Sequence, residues 1–319
     1  MKKIELRQMK DSLKDRIDVF ICSASFEDRC FAIPNEAVTI DIASKLIFYV
    51  TDLESNIIQN AGKLASLLGN ASRNVELAIN DPGKTLRNIN SALSEIFSQE
   101  KPQCYLVDIT TFTHEGLLIL MKLLQLRLKK SDKVIACYNG AKEYSYNESV
   151  AEKKWLSKGV KKIRSILGYP GLLDPSKKNH LIVLFGFERE RTKRLIDMFE
   201  YDLVSLAFGG KGVSISEDHQ VLNEKRHEEL LILYPNARKF EISLIDAIDT
   251  KQQLLAYMSD FSEYNTVIAP MNNKISTVGA GLAAIENPEI QLCYVTANQY
   301  NLQGYSHPSP YCYLFEVLF

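Results

Sequence analysis

Short apolar runs alternate with longer segments of helical period along the whole chain. In the first half, runs rich in β-formers at 19–22, 46–50, 75–79, 104–107 and 134–138 predict strands. Between them, 55–68, 85–97 and 115–128 repeat apolar residues every three or four positions and predict helices. Ile57, Ala61, Leu64 and Leu68 show that spacing in the first of these helices. The second half follows the same order. Strands are predicted at 181–185, 203–208, 240–244, 267–270 and 290–295, and helices at 191–199, 217–233, 251–261 and 277–285. Buried strands alternating with helices predict a parallel sheet covered on both faces.

The halves also share wording. The first strand ends in Ser25-Phe26-Glu27 in one half and Gly186-Phe187-Glu188 in the other, each followed by basic residues. The last strand runs Cys137-Tyr138-x-x-Ala141-x-x-Tyr144 and Cys293-Tyr294-x-x-Ala297-x-x-Tyr300, offset by 156 positions. Four identities at fixed spacing predict a duplication of a whole domain. The expected fold is therefore α/β, with two duplicated Rossmann-like domains. Each would hold a mostly parallel sheet of about five strands with flanking helices. The expected boundaries are 1–150 and 179–319, with a linker at 151–178 whose basic and apolar positions predict an amphipathic helix.

With 319 residues, 46% hydrophobic and 24% charged, the chain reads as globular. A net charge of -1 argues against a broad nucleic-acid surface but leaves room for a local anion site. The charged opening segment predicts no signal peptide, and the longest apolar run, 116–124, is broken by Lys122, so no membrane span is expected. Six cysteines form no CxxC pair, and the four inside apolar strand-like runs read as buried thiols of a cytoplasmic protein; no metal or other cofactor is expected.

In open parallel sheets, ligands bind beyond the carboxyl ends of the strands, where helix N-termini offer free amides to anions. After the first strands, Ser25, Glu27, Arg29, Glu188 and Arg189 suit a ribose hydroxyl and a phosphate. The same acidic residues also favour a helix N-terminus. After the fourth strands stand Asp108, Thr110 and His114, and in the second half Asn272, Lys274 and Ser276. They read as ligand contacts or as helix caps. The small residues Gly279, Ala280, Gly281, Ala283 and Ala284 fit close packing better than ligand approach. Tyr144 and Tyr300 read either as base-stacking rings or as covers for a sheet edge. Gly209-Gly210-Lys211-Gly212 lacks the spacing of a Walker A loop, and no GxGxxG or GxSxG is present.

Asp108-x-Thr110-x-x-x-His114 after the fourth strand resembles the ligand motif of CARF domains, sensors of cyclic oligonucleotides in prokaryotic immunity. That family prefers Lys or Arg where this chain has His114. The tandem arrangement resembles SAVED domains, which join two CARF-like units. The resemblance implies a nucleotide messenger as ligand and a separate effector protein as partner, because the chain shows no nuclease, protease or membrane segment. A homodimer stays open as its assembly.

Three function classes follow. One is a sensor for a nucleotide-type anion, with Arg29, Lys142, Arg189 or Lys274 on the anion. The second is an enzyme acting on a nucleotide or sugar phosphate, with Glu27 or Asp108 as nucleophile or base. The third is a structural subunit of a defence or regulatory complex, in which the polar turns only cap helices.

Overall fold

The structure, a computed structural model, describes residues 1–150, 153–210 and 217–319. The chain forms two units, 1–146 with 306–319, and 147–305. The first opens with β1 (Lys2–Glu5) and α1 (Met9–Ser12). Then come β2 (Val19–Ser23), α2 (Ala32–Ala37), β3 (Ser44–Val50), α3 (Ser55–Leu68) and β4 (Ser72–Leu77). α4 (Pro82–Phe97), β5 (Cys104–Asp108), α5 (His114–Arg127), β6 (Lys133–Tyr138) and β7 (Ala141–Tyr144) complete its first stretch.

The second unit holds β8 (Ser157–Lys158), β9 (Lys162–Pro170), β10 (Lys178–Leu184), α6 (Arg189–Met198) and β11 (Leu203–Gly209). It continues with α7 (Glu217–Leu233), β12 (Arg238–Ile242), α8 (Ala247–Ser259), β13 (Tyr264–Pro270), α9 (Lys274–Glu286), β14 (Gln291–Thr296) and β15 (Gln299–Tyr300). The chain then returns to the first unit with β16 (Ser306–Pro308) and β17 (Tyr311–Glu316).

Both sheets are mostly parallel. The first has seven strands in the order β1-β17-β6-β5-β2-β3-β4, with β1 and β17 antiparallel. The second has six, β12-β11-β10-β13-β14-β9, with β9 antiparallel to β14. Counting only the parallel strands in chain order, each sheet reads 3-2-1-4-5. The crevice where the winding reverses lies between β2 and β5 in one unit and between β10 and β13 in the other. Every residue of β2 and β5 is buried, as expected of strands covered on both faces.

The helices take their boundaries from local chemistry. α3 buries Ile57, Ala61, Leu64 and Leu68 on one stripe, and Gly69 (φ 78°) ends it in a conformation that other residues rarely adopt. Asp81, Thr113, Asp246 and Asn273 cap α4, α5, α8 and α9 by accepting backbone N–H groups. The small residues of α9 serve packing: a Cβ at Gly279 would collide with Thr250 and Ala247 of α8.

The expected domain boundaries need correction. Residues 306–319 belong to the first unit, because β17 pairs with β6 and β16 with β7. The amphipathic helix expected in the linker is instead the edge strand β9. Ile166 and Tyr169 face inward, the strand pairs with β14, and Gly168 (φ 93°) and Pro170 are poor helix formers. These edge strands also raise the sheets above the expected five strands.

Candidate functional site

In the first unit, the turn after β2 folds Arg29 inward until it is 4% exposed. Its Nε donates to Glu27 Oε2 at 2.9 Å and to Ser306 Oγ at 2.8 Å, and its Nη1 donates to Asn139 O at 3.0 Å. Ser306 Oγ in turn donates to Glu27 Oε2 at 2.5 Å. The guanidinium lies over the Tyr144 ring, 5.7 Å from its centroid. Burial works against the charge of Arg29, but Glu27, Tyr144 and Tyr138 outweigh it and hold the group more basic than usual. Pairing of β16 with β7 sets Ser306 opposite Tyr144 and so delivers the hydroxyl.

The second unit assembles the same residue types. Arg191, 9% exposed, bonds Glu188 Oε2 at 2.5 Å and donates from Nη1 to Val295 O at 2.9 Å. Asn139 and Val295, the two carbonyl sources, are 156 positions apart, like the shared tyrosines. Burial again opposes the charge of Arg191, and Glu188, Tyr300 and Tyr294 outweigh it. Pairing of β15 with β8 sets Ser157 opposite Tyr300, as Ser306 stands opposite Tyr144. Here the hydroxyl bridge is missing. Ser157 Oγ, Glu188 Oε1 and Arg191 Nε are all buried and none has a hydrogen-bond partner.

A cavity of about 400 Å³ opens beside these groups, lined by both Ser157 and Glu188. That volume lies within the ~300–1,000 Å³ common to small-molecule sites. Five basic side chains (Lys154, Lys158, Arg189, Lys225 and Arg226) line it against three acidic ones, Glu188, Glu190 and Glu229. Two cations sit over aromatic rings in its wall. Lys158 Nζ is 4.3 Å from the Trp155 centroid, and the Arg226 guanidinium is 4.1 Å from that of Phe187. Arg226 is anchored to the backbone oxygens of Phe187 and Lys154. A larger cavity of about 730 Å³ in the same unit lies at the amino ends of β10 and β13, beside Leu172, Leu255, Met258 and Phe261. Its polar members Asp174 and Asn265 are hydrogen-bonded to one another and to neighbouring backbone.

The remaining expected contacts are held within the fold. Asp108 is 1% exposed. Its Oδ1 accepts from Thr110 N at 3.0 Å, and its Oδ2 has no partner. Burial pushes its carboxyl up to about 7. Thr110 Oγ1 accepts from Asn139 N at 3.0 Å, and the carbonyl of the buried Ser25 accepts from Asn60 at 2.8 Å. His114 opens α5 and Lys274 opens α9, both half-buried. The two crevices are bridged by protein atoms: Thr111 Oγ1 donates to Ser23 O at 2.6 Å, and Asn272 Nδ2 donates to Phe185 O. A Cβ at Gly186 would strike Met271 O, so that glycine lets two turns meet. Ser276 is 0% exposed and bonds Asn273. Arg189 is exposed and pairs with Glu229, so the buried counterpart of Arg29 is Arg191. Lys211 and Gly212 of the glycine-rich loop lie outside the described residues.

Sequence reasoning missed Ser157, Arg191, Arg226 and Ser306. The three-residue step from Glu188 to Arg191 on a helix was the one available signal for Arg191. Ser157 and Ser306 gave none, since both arrive through strand pairing. The six cysteines are buried and free. Burial pushes the Cys30 thiol up to about 12, and the carboxylates of Glu27, Asp108 and Asp28 add to the rise. No group of three or more metal-ligating side chains occurs among the described residues, nor any helix long and apolar enough to cross a membrane.

No family model matches the chain, and no curated protein matches it. Among solved structures it is similar to the cytoplasmic domain of a prokaryotic cation chloride cotransporter. The identity is 7% and the TM-score 0.28, over 90% of this chain and 99% of that one. It is also similar to LepI in complex with SAM, at 10% identity and a TM-score of 0.21, over 44% of this chain and 32% of that one.

Proposed function

We propose that the chain is a sensor that binds a nucleotide-type anion in the cavity beside Trp155 and Phe187, acting with a separate effector in antiviral defence. The carrying observation is the wall of that cavity: five basic side chains, two of them over aromatic rings, at the carboxyl end of the sheet. Cations suit phosphate, and aromatic faces suit a base. The defence setting comes from the resemblance of the Asp108 segment to CARF domains. Six buried free thiols suit a reducing, cytoplasmic compartment.

We also infer that the two units are copies of one domain. The common 3-2-1-4-5 order supports this, as do the two buried arginines on carbonyls 156 positions apart and the two serines in register with the shared tyrosines. The enzyme reading loses ground, because Glu27 is tied to Arg29 and Ser306 and Asp108 is shut from solvent.

Trp155 is the only tryptophan, so its emission reports on this cavity directly. Titration with AMP, GMP, CMP, UMP, cyclic di-AMP and cyclic oligoadenylates should give a saturable change with at least one of them. An unchanged spectrum and an unshifted melting temperature across the panel would overturn the reading.

A further inference from the structure

The first unit shows what completes the arginine–glutamate pair. Ser306 Oγ accepts from Arg29 Nε and donates to Glu27 Oε2, so one hydroxyl satisfies both charged partners. In the second unit the matching serine is present and in register, yet Ser157 Oγ, Glu188 Oε1 and Arg191 Nε are each buried without a bond. Unsatisfied buried polar groups are costly. Ser157 and Glu188 line the cavity and Arg191 is paired with that same glutamate, so the group marks a place where outside hydroxyls would be favourable.

The chemistry of the three atoms is specific. Arg191 Nε only donates, the free oxygen of an ionised Glu188 only accepts, and Ser157 Oγ does either. A phosphate would suit the arginine but would be repelled by the carboxylate. A carbonyl would serve the arginine and leave the carboxylate empty. A hydroxyl serves both, as Ser306 does, and a second hydroxyl on the adjacent carbon would reach for the serine. We propose that Ser157, Glu188 and Arg191 hold a vicinal diol of the ligand, the two ribose hydroxyls of a ribonucleotide. This rests on the nucleotide-type reading of the cavity. The basic residues facing the same space, Lys158 and Lys225 among them, would then meet the phosphate.

The test is calorimetric titration of the full chain with AMP and with 2′,3′-dideoxy-AMP. The pair shares base and phosphate and differs only in the diol. AMP is expected to bind at least ~10-fold tighter, since a site built around polar groups rejects the analogue that leaves them unpaired. Ser157→Ala should cut that ratio several-fold by weakening AMP alone, and its unfolding curve checks that the chain stays folded. Equal affinities for the two nucleotides would overturn the diol assignment and leave the nucleotide reading standing. Binding confined to the cyclic nucleotides, which have no free vicinal diol, would likewise overturn the diol assignment alone, and absence of binding by every nucleotide of the larger panel would overturn both.

Discussion

The two units place the same arginine, glutamate, serine and tyrosine at the carboxyl end of their sheets and finish them differently. In the first, Ser306 closes the set, and the charge of Arg29 is spent on Glu27, Ser306 and Asn139. In the second, three polar atoms, Ser157 Oγ among them, are unsatisfied, and Ser157 and Glu188 line a cavity with basic and aromatic walls. One hydroxyl thus separates a closed cluster from one with unsatisfied polar atoms. A repeated motif need not mean a repeated binding site.

The largest effect should come from the arginines. Arg29→Ala strips a buried carboxylate of its partner and should cost ~3–5 kcal/mol in urea unfolding. Arg191→Ala should cost less, because that cluster is already incomplete. A second-unit loss as large as the first would break the comparison.

Asp108 sharpens it through pH, because Pro270 ends the corresponding strand of the second unit. Its carboxyl sits at about 7 when folded, above its ordinary 3.8. Between those values the folded chain keeps a proton that the unfolded chain has released. Stability is therefore lost as pH rises through that window, and the cost is complete above about pH 7. Asp108→Asn should stabilise the protein at pH 8, by ~2–4 kcal/mol, and progressively less toward pH 4. A variant no more stable at pH 8 than the parent would show that the carboxyl stays ionised in the fold.

The serines give the smallest effects. Ser306→Ala should cost ~1–2 kcal/mol by leaving Arg29 and Glu27 with fewer partners. Ser157→Ala, which removes no existing bond, should stay within ~0.5 kcal/mol. Thermal unfolding of both variants checks the order, and equal losses would contradict it.

The parallel core was legible because buried strands and amphipathic helices have different periods, and all ten expected core strands form. The edges were not. β9 carries Ile163, Ile166 and Leu167 among basic residues, a pattern that fits a helix until Gly168 and pairing to β14 are weighed. The return of β16 and β17 to the first unit depends on pairing across about 170 positions, which no local pattern encodes. Phe26-Glu27 and Phe187-Glu188 stand at the turns that hold the two arginine–glutamate pairs. The serines that face them come from distant chain, so the motif could not say that Arg29 would gain a hydroxyl bridge and Arg191 would not. The segment read from sequence as resembling a CARF ligand motif contains Asp108, which lies shut away at its strand end.

The central claim is that the second unit receives the ligand and the first does not. Calorimetric titration of AMP into Lys158→Glu and Lys142→Glu tests it most directly. Both lysines are exposed; Lys158 lines the cavity, and Lys142 lies on β7 of the first unit. The account predicts at least ~10-fold weaker binding for Lys158→Glu and an unchanged affinity for Lys142→Glu. The reverse pattern, or equal weakening in both, would contradict it.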